Sequence, residues 1–79
     1  MKITATWHAI LREQAGYSEE EVQTNASSPA GLYRELAPDR GLRLPSESLR
    51  FAVNDEIASQ ETTLRDGERV AFLPPVSGG

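Results

Sequence analysis

Apolar and polar residues alternate from the beginning of the chain, which is the pattern of a half-buried strand. Residues 3–8 place apolar side chains at every second position, and these are Ile3, Ala5 and Trp7. The next segment, residues 10–15, is a short helix candidate, and Gly16 is placed to end it in a left-handed conformation. Residues 19–24 carry Val22 among polar side chains, which predicts a second strand at the edge of a sheet.

The longest helix is predicted to begin at Ser28, where a serine N-cap is followed by proline at the first helical position. Leu32 and Leu36, four residues apart, give this helix one apolar face. Pro38 is predicted to end it, because the residue before a proline disfavours helical backbone.

The second half of the chain returns to alternation and predicts three further strands. They cover residues 49–53, a short segment from Ile57, and residues 69–73 after a turn at residues 66–68. Two strands therefore precede the long helix and three follow it. This order predicts an α+β domain with a mixed sheet and helices packed on one face, and a β-grasp arrangement fits it.

Cysteine is absent from the 79 residues, and histidine occurs once. A chain without cysteine has no disulfide, no thiolate ligand for zinc and no thiol nucleophile. One histidine is too few for a histidine-based metal site. We therefore expect no bound metal or cofactor, and a core that rests on apolar packing alone.

The net charge is −4, which disfavours nucleic-acid binding and suits a partner with a basic surface, although plain solubility explains it equally well. No stretch approaches the roughly 20 apolar residues of a membrane span. The first residues also lack the apolar centre of a signal peptide. We expect a soluble cytoplasmic protein.

The end of the chain has a composition of its own. A domain over residues 1–73 is predicted to be followed by a flexible tail made of Pro74, Pro75, Val76, Ser77, Gly78 and Gly79. Proline cannot donate a hydrogen bond to a sheet and favours an extended backbone, so the tail should project from the fold. Six extended residues span roughly 20 Å. Two glycines present the smallest cross-section that a peptide can offer, so a narrow channel could admit them.

The free carboxylate of Gly79 is the chemical group that this tail would deliver. A carboxylate is a poor acyl donor until adenylation by ATP supplies a leaving group, after which a sulfur nucleophile can displace AMP and leave a thiocarboxylate. The alternative is that Gly78 and Gly79 are simply a disordered chain end. The prolines before them and the strand before the prolines favour a delivered carboxylate.

The residues of this tail, together with residues 64–73 before it, closely resemble the C-terminus of the small subunit of molybdopterin synthase, the MoaD family. Residues 9–16 and 52–54 resemble two further segments of that family, so the resemblance extends over the whole chain. It implies a ubiquitin-like β-grasp fold. It also implies that Gly79 is adenylated by a ubiquitin-activating-type enzyme, carries sulfur as a thiocarboxylate and donates it to a cyclic pterin precursor in molybdenum cofactor biosynthesis.

The partners that the resemblance implies are the large subunit of molybdopterin synthase, in a heterotetramer, the adenylating enzyme, which uses ATP, and a sulfur donor system. Residues 74–78 would thread the tail into the large subunit, and the chain would be a sulfur donor without catalysis of its own. A docking surface would include His8, Ile57 and Leu73, although the family commonly has an aromatic residue where His8 stands. Core packing is the alternative for Ile57 and Leu73, and a solvent-exposed strand position is the alternative for His8.

Two other functions remain open at this point. A sulfur carrier for thiamine, cysteine or thiolated tRNA would use the same chemistry at Gly79. A ubiquitin-like interaction module would use no acyl activation and would not need its last two residues. The sequence does not distinguish molybdenum from tungsten, nor does it fix the oligomeric state.

Overall fold

Five strands and two α-helices follow one another in the predicted order in a computed structural model, which describes residues 1–75. The elements are β1 Lys2–Trp7, α1 Ile10–Ala15, β2 Glu19–Gln23, α2 Pro29–Arg40, β3 Arg50–Val53, β4 Glu56–Ala58 and β5 Arg69–Leu73, with a 3₁₀ turn at Ser46–Ser48 before β3. The first two strands begin or end within one residue of the predicted bounds.

The strands form one mixed sheet in the order β2-β1-β5-β3-β4. β1 and β5 are parallel, and the other three pairs are antiparallel. The last strand of the chain therefore lies in the middle of the sheet, between the first strand and the third. This topology confirms the predicted β-grasp, and β2 occupies the predicted edge.

The core fills the space between the helices and one face of the sheet. Phe72 of β5 is its centre: the ring of Trp7 stacks on it with centroids 4.5 Å apart, and Phe51 meets it edge-on at 5.6 Å. Tyr33 of α2 lies 5.9 Å from the same ring. Leu11 of α1 is fully buried in the same cluster, so both helices pack on one face, as predicted.

Helix α2 begins as predicted but ends later. The Ser28 hydroxyl accepts a hydrogen bond from the Gly31 N–H at 3.1 Å. The predicted end at Pro38 is wrong, because α2 continues through Pro38 to Arg40. Proline removes one helical hydrogen bond, but Gly41, with φ of 67°, supplies the terminating left-handed turn and bonds back to the Ala37 carbonyl.

A partly buried ion pair also holds the last turn of α2 against the sheet. The Arg40 guanidinium donates to both carboxylate oxygens of Glu20 on β2, at 2.6 and 2.7 Å. Tyr17 and the indole N–H of Trp7 donate to the same carboxylate. Because Arg40 above all, and then Tyr17 and Trp7, stabilise the ionised form, the pKa of Glu20 falls to about 2.

The two helices of residues 1–75 are both too short and too polar to cross a membrane.

Candidate functional site

Strand β5 carries the chain out of the fold towards the predicted sulfur-carrying end. Val70 and Phe72 are fully buried on the helix side, whereas Ala71 and Leu73 lie on the opposite side and are partly exposed. Hydrogen-bonded neighbours on both sides, β1 and β3, fix its register. The tail therefore starts from one of the best-anchored strands of the molecule.

Of the predicted tail, the structure describes the two prolines. Pro74 is partly buried and Pro75 is exposed, and neither belongs to a helix or strand. The other predicted tail residues, Val76, Ser77, Gly78 and the carrier Gly79, lie outside the described residues, and their roles stay predictions. So does the division into a domain of residues 1–73 and a tail, although β5 ends at Leu73.

The three residues predicted for docking lie on one surface. His8, Ile57 and Leu73 line a shared depression on the face of the sheet opposite the helices, which we call the open face. They come from the position directly after β1, from β4 and from the end of β5. The fold thus brings together residues that are far apart in sequence.

Strand register explains how this depression forms. Thr6 of β1 is the register partner of Ala71 of β5, Ala71 is that of Ala52 on β3, and Ala52 is that of Ile57 on β4. The three small side chains of Thr6, Ala71 and Ala52 form the floor of a trough that runs across the strands. Ile57 stands at the outer end of this row.

Exposure decides between docking and core packing for the apolar residues. Ile57 is 69% exposed, the largest exposure among the large hydrophobic residues of the described chain, so core packing is excluded for it. Leu73 is partly buried at the side of the trough. His8 follows β1 and is exposed, with Nε2 3.0 Å from the Thr6 hydroxyl, a position compatible with docking as well as with the solvent-exposed alternative.

The trough also has charged groups along it. Arg69 and Asp55 line it beside the apolar residues. The Arg69 guanidinium donates to the Glu19 carboxylate of β2 at 2.7 Å. Within residues 1–75 no group of three or more His, Asp or Glu side chains is placed to hold a metal ion.

Sequence reasoning missed the small residues that form the floor of the trough and the charged residues, Arg69 and Asp55, that line it. Alternation along β5 places Ala71 on the same side as Leu73, and alternation along β3 places Ala52 opposite Phe51. Their union in one row depends on which strands are neighbours, and no local pattern states this. A parallel pairing of the first and last strands was the missing information.

Comparison with known proteins tests the family resemblance seen in the sequence. The model of the ThiS family matches residues 8–79. The molybdopterin synthase sulfur carrier subunit of Escherichia coli (strain K12) is 36% identical over 80 residues, which cover 98% of this chain and 99% of that protein. This similarity confirms the predicted resemblance to small subunits of molybdopterin synthase.

Two solved structures share the fold. SAMP1 from Haloferax volcanii superposes with a TM-score of 0.78 at 21% identity, and all of both chains is covered. A chain in the complex of subunits 1 and 2 of the molybdopterin-converting factor from Helicobacter pylori 26695 superposes with a TM-score of 0.66 at 24% identity, again over both full lengths. Both confirm the ubiquitin-like β-grasp. With the family model spanning residues 8–79 and a sulfur carrier related along almost the entire chain, this protein belongs to the ThiS family.

Proposed function

We propose that this protein is the sulfur-carrier subunit of a molybdopterin synthase and that Gly79 carries the sulfur as a C-terminal thiocarboxylate. The observation that carries the proposal is the 36% identity, over 98% of this chain and 99% of the relative, to a protein named as such a subunit. The sequence Gly78-Gly79 at the end of the chain supports it, because an unhindered terminal carboxylate is the group that this chemistry needs.

The proposed chemistry proceeds in three steps on the Gly79 carboxylate. A carboxylate oxygen attacks the α-phosphorus of ATP, pyrophosphate leaves, and an acyl-adenylate forms. A sulfur nucleophile then attacks the carbonyl carbon, and the bond to AMP breaks, which leaves the thiocarboxylate. Finally the thiocarboxylate sulfur forms a bond to a carbon of the cyclic pterin precursor, and an oxygen substituent leaves that carbon. Water then cleaves the acyl–sulfur bond, which restores the Gly79 carboxylate and leaves the sulfur on the pterin as a thiol.

Other proteins supply the catalytic groups in this scheme. An adenylating enzyme of the ubiquitin-activating type binds the ATP, a sulfur donor system provides the nucleophile, and the large subunit holds the pterin. This chain is then a carried substrate and a non-catalytic subunit, without a cofactor of its own. A dithiolene contains two sulfur atoms, so two carriers must discharge for each product, which suits a heterotetramer with two copies of each subunit.

The open face is the surface that we assign to docking. Ile57 exposes apolar area that the domain itself does not use, and Leu73 lies directly before the tail. Apolar side chains around a floor of small residues suit insertion of a partner's apolar side chains. His8, directly after β1, would be covered by the same partner.

The sulfur-carrier chemistry is tested by intact mass after incubation with ATP, magnesium, a cognate activating enzyme and a sulfide source. We expect a mass gain that matches exchange of one oxygen for one sulfur, and its loss when Gly79 is deleted. No gain, with an activating enzyme shown to act on another carrier, would contradict acyl activation and favour a ubiquitin-like interaction module.

The acceptor is tested separately with the large subunit of molybdopterin synthase. We expect the two proteins to associate and the thiocarboxylate form to convert the cyclic pterin precursor to a dithiolene. Sulfur loading without association would contradict this acceptor and favour a carrier for thiamine, cysteine or tRNA thiolation.

A further inference from the structure

Arg69 has an unusual position for a surface arginine, because its side chain extends across a neighbouring strand. It belongs to β5, whereas its ion-pair partner Glu19 belongs to β2, and β1 lies between these strands. The Nη2–Oε1 distance is 2.7 Å. The guanidinium therefore lies over β1 on the open face, beside the trough.

The other ion-paired arginine of the described chain provides a contrast. The Arg40 guanidinium uses all three of its nitrogens in hydrogen bonds and is 18% exposed, which suits a structural role. The Arg69 guanidinium makes a single hydrogen bond within residues 1–75 and is 52% exposed. A guanidinium has five N–H donors, so most of those on Arg69 have no acceptor among residues 1–75.

The ion pair itself gives the fold little stability. Glu19 is 54% exposed, and pairs this exposed contribute roughly 0–1 kcal/mol. Its main effect is to hold a rotamer-rich side chain in one orientation before a partner arrives. A partner that covers the trough removes water from Arg69, and the freed N–H groups then need acceptors.

We propose that Arg69 is a specificity-determining residue of the open face and that it donates to a carboxylate of the large subunit, with Glu19 as the positioning residue. The proposal rests on the proposed function, since the large subunit is the partner. A carboxylate is the acceptor that the planar guanidinium matches with two parallel hydrogen bonds. Arg69 already donates one hydrogen bond to a carboxylate, that of Glu19. Asp55, which lines the same depression, would repel a carboxylate placed away from Arg69.

Calorimetric binding to the large subunit, at low and at moderate salt, tests this. We expect Arg69→Gln to weaken binding by about tenfold or more and to make it less sensitive to salt. Arg69→Lys should fall between, because an ammonium cannot form the paired hydrogen bonds. Glu19→Gln should change the affinity by about threefold at most, because it removes only preorganisation.

Arg43→Gln is the matched control, because Arg43 is an exposed arginine on the loop after α2, away from the open face, and should bind like the wild type. Thermal unfolding of each variant separates binding from folding.

Equal affinity of Arg69→Gln and the wild-type protein would overturn this inference and leave the proposed function intact. The inference would also be overturned if Arg69→Gln and Glu19→Gln lost the same affinity and the same thermal stability, since that is the behaviour of a structural ion pair. A wild-type protein that does not bind the large subunit would instead refute the proposed acceptor, and this inference with it.

Discussion

Replacement of Glu20 by glutamine should make the stability of this domain much less dependent on pH. In the folded protein the pKa of Glu20 is lowered from 4.5 to about 2, mainly by the hydrogen bonds from Arg40. A difference of about 2.5 pKa units corresponds to about 3.5 kcal/mol at about 1.4 kcal/mol per unit. The side chains of Glu20 and Arg40 are 16% and 18% exposed, so we expect about 2–3 kcal/mol after allowance for remaining solvent.

The direction follows from the lowered pKa. Because the folded state binds this proton more weakly than the unfolded state, the pair stabilises the fold fully above the unfolded pKa of about 4.5. This contribution is lost as the pH falls from there towards 2. Glu20→Gln resembles a carboxyl that is always neutral, so the stability difference between wild type and variant should be largest at pH 7 and shrink below pH 4.5.

Urea unfolding at pH 7, 5, 4 and 3 measures this difference. Trp7 is the only tryptophan and is 1% exposed, so its fluorescence reports unfolding directly. Glu21→Gln is the control, since Glu21 is on the same strand but exposed, and such substitutions usually change stability by less than about 0.5 kcal/mol. A difference between wild type and Glu20→Gln that stays constant from pH 7 to pH 3 would refute the reasoning.

Two further substitutions test the docking surface and the corrected end of α2. Ile57→Ser should weaken binding to the large subunit by about tenfold or more without lowering the melting temperature, because Ile57 is 69% exposed. Ile10→Ser on α1, where Ile10 is 42% exposed, should leave the affinity unchanged, and similar losses in both variants would contradict a local docking site. Pro38→Ala should raise the free energy of unfolding by about 1 kcal/mol, because it restores an N–H towards the Arg34 carbonyl and improves helix propensity. Urea unfolding checks this, and a less stable variant would show that the helix needs the proline.

Local patterns were sufficient for nearly every element of this fold. Burial on one face of a strand imposes a period of two, which is why Ile3, Ala5 and Trp7 identified β1. The N-cap Ser28 identified the start of α2 for an equally local reason. The prediction that Gly79 carries sulfur rests on the residues of the chain end and on the family resemblance, and it stays a prediction.

Pro38 shows where local reasoning fails. A proline inside a helix has a local energetic cost, since it removes one backbone hydrogen bond and crowds the preceding turn. Whether the helix continues past it depends on the stabilising contacts that the following residues make. Here the residues after Pro38 include Arg40, whose ion-pair partner Glu20 lies on strand β2 and is distant in sequence. The trough was missed for the same reason, because Thr6, Ala52 and Ala71 meet only through strand pairing.

Under the proposed function, strand β5 would link docking to sulfur delivery. Its alternate residues have separate tasks, since Phe72 anchors the strand in the aromatic core while Ala71 and Leu73 form part of the open face. A partner bound to that face would therefore lie next to the first residue of the tail. Six residues separate Leu73 from the carboxylate of Gly79, so the reacting pterin must lie within roughly 20 Å of the docked face. If the proposed function holds, one strand sets both where the partner binds and how far the sulfur can reach.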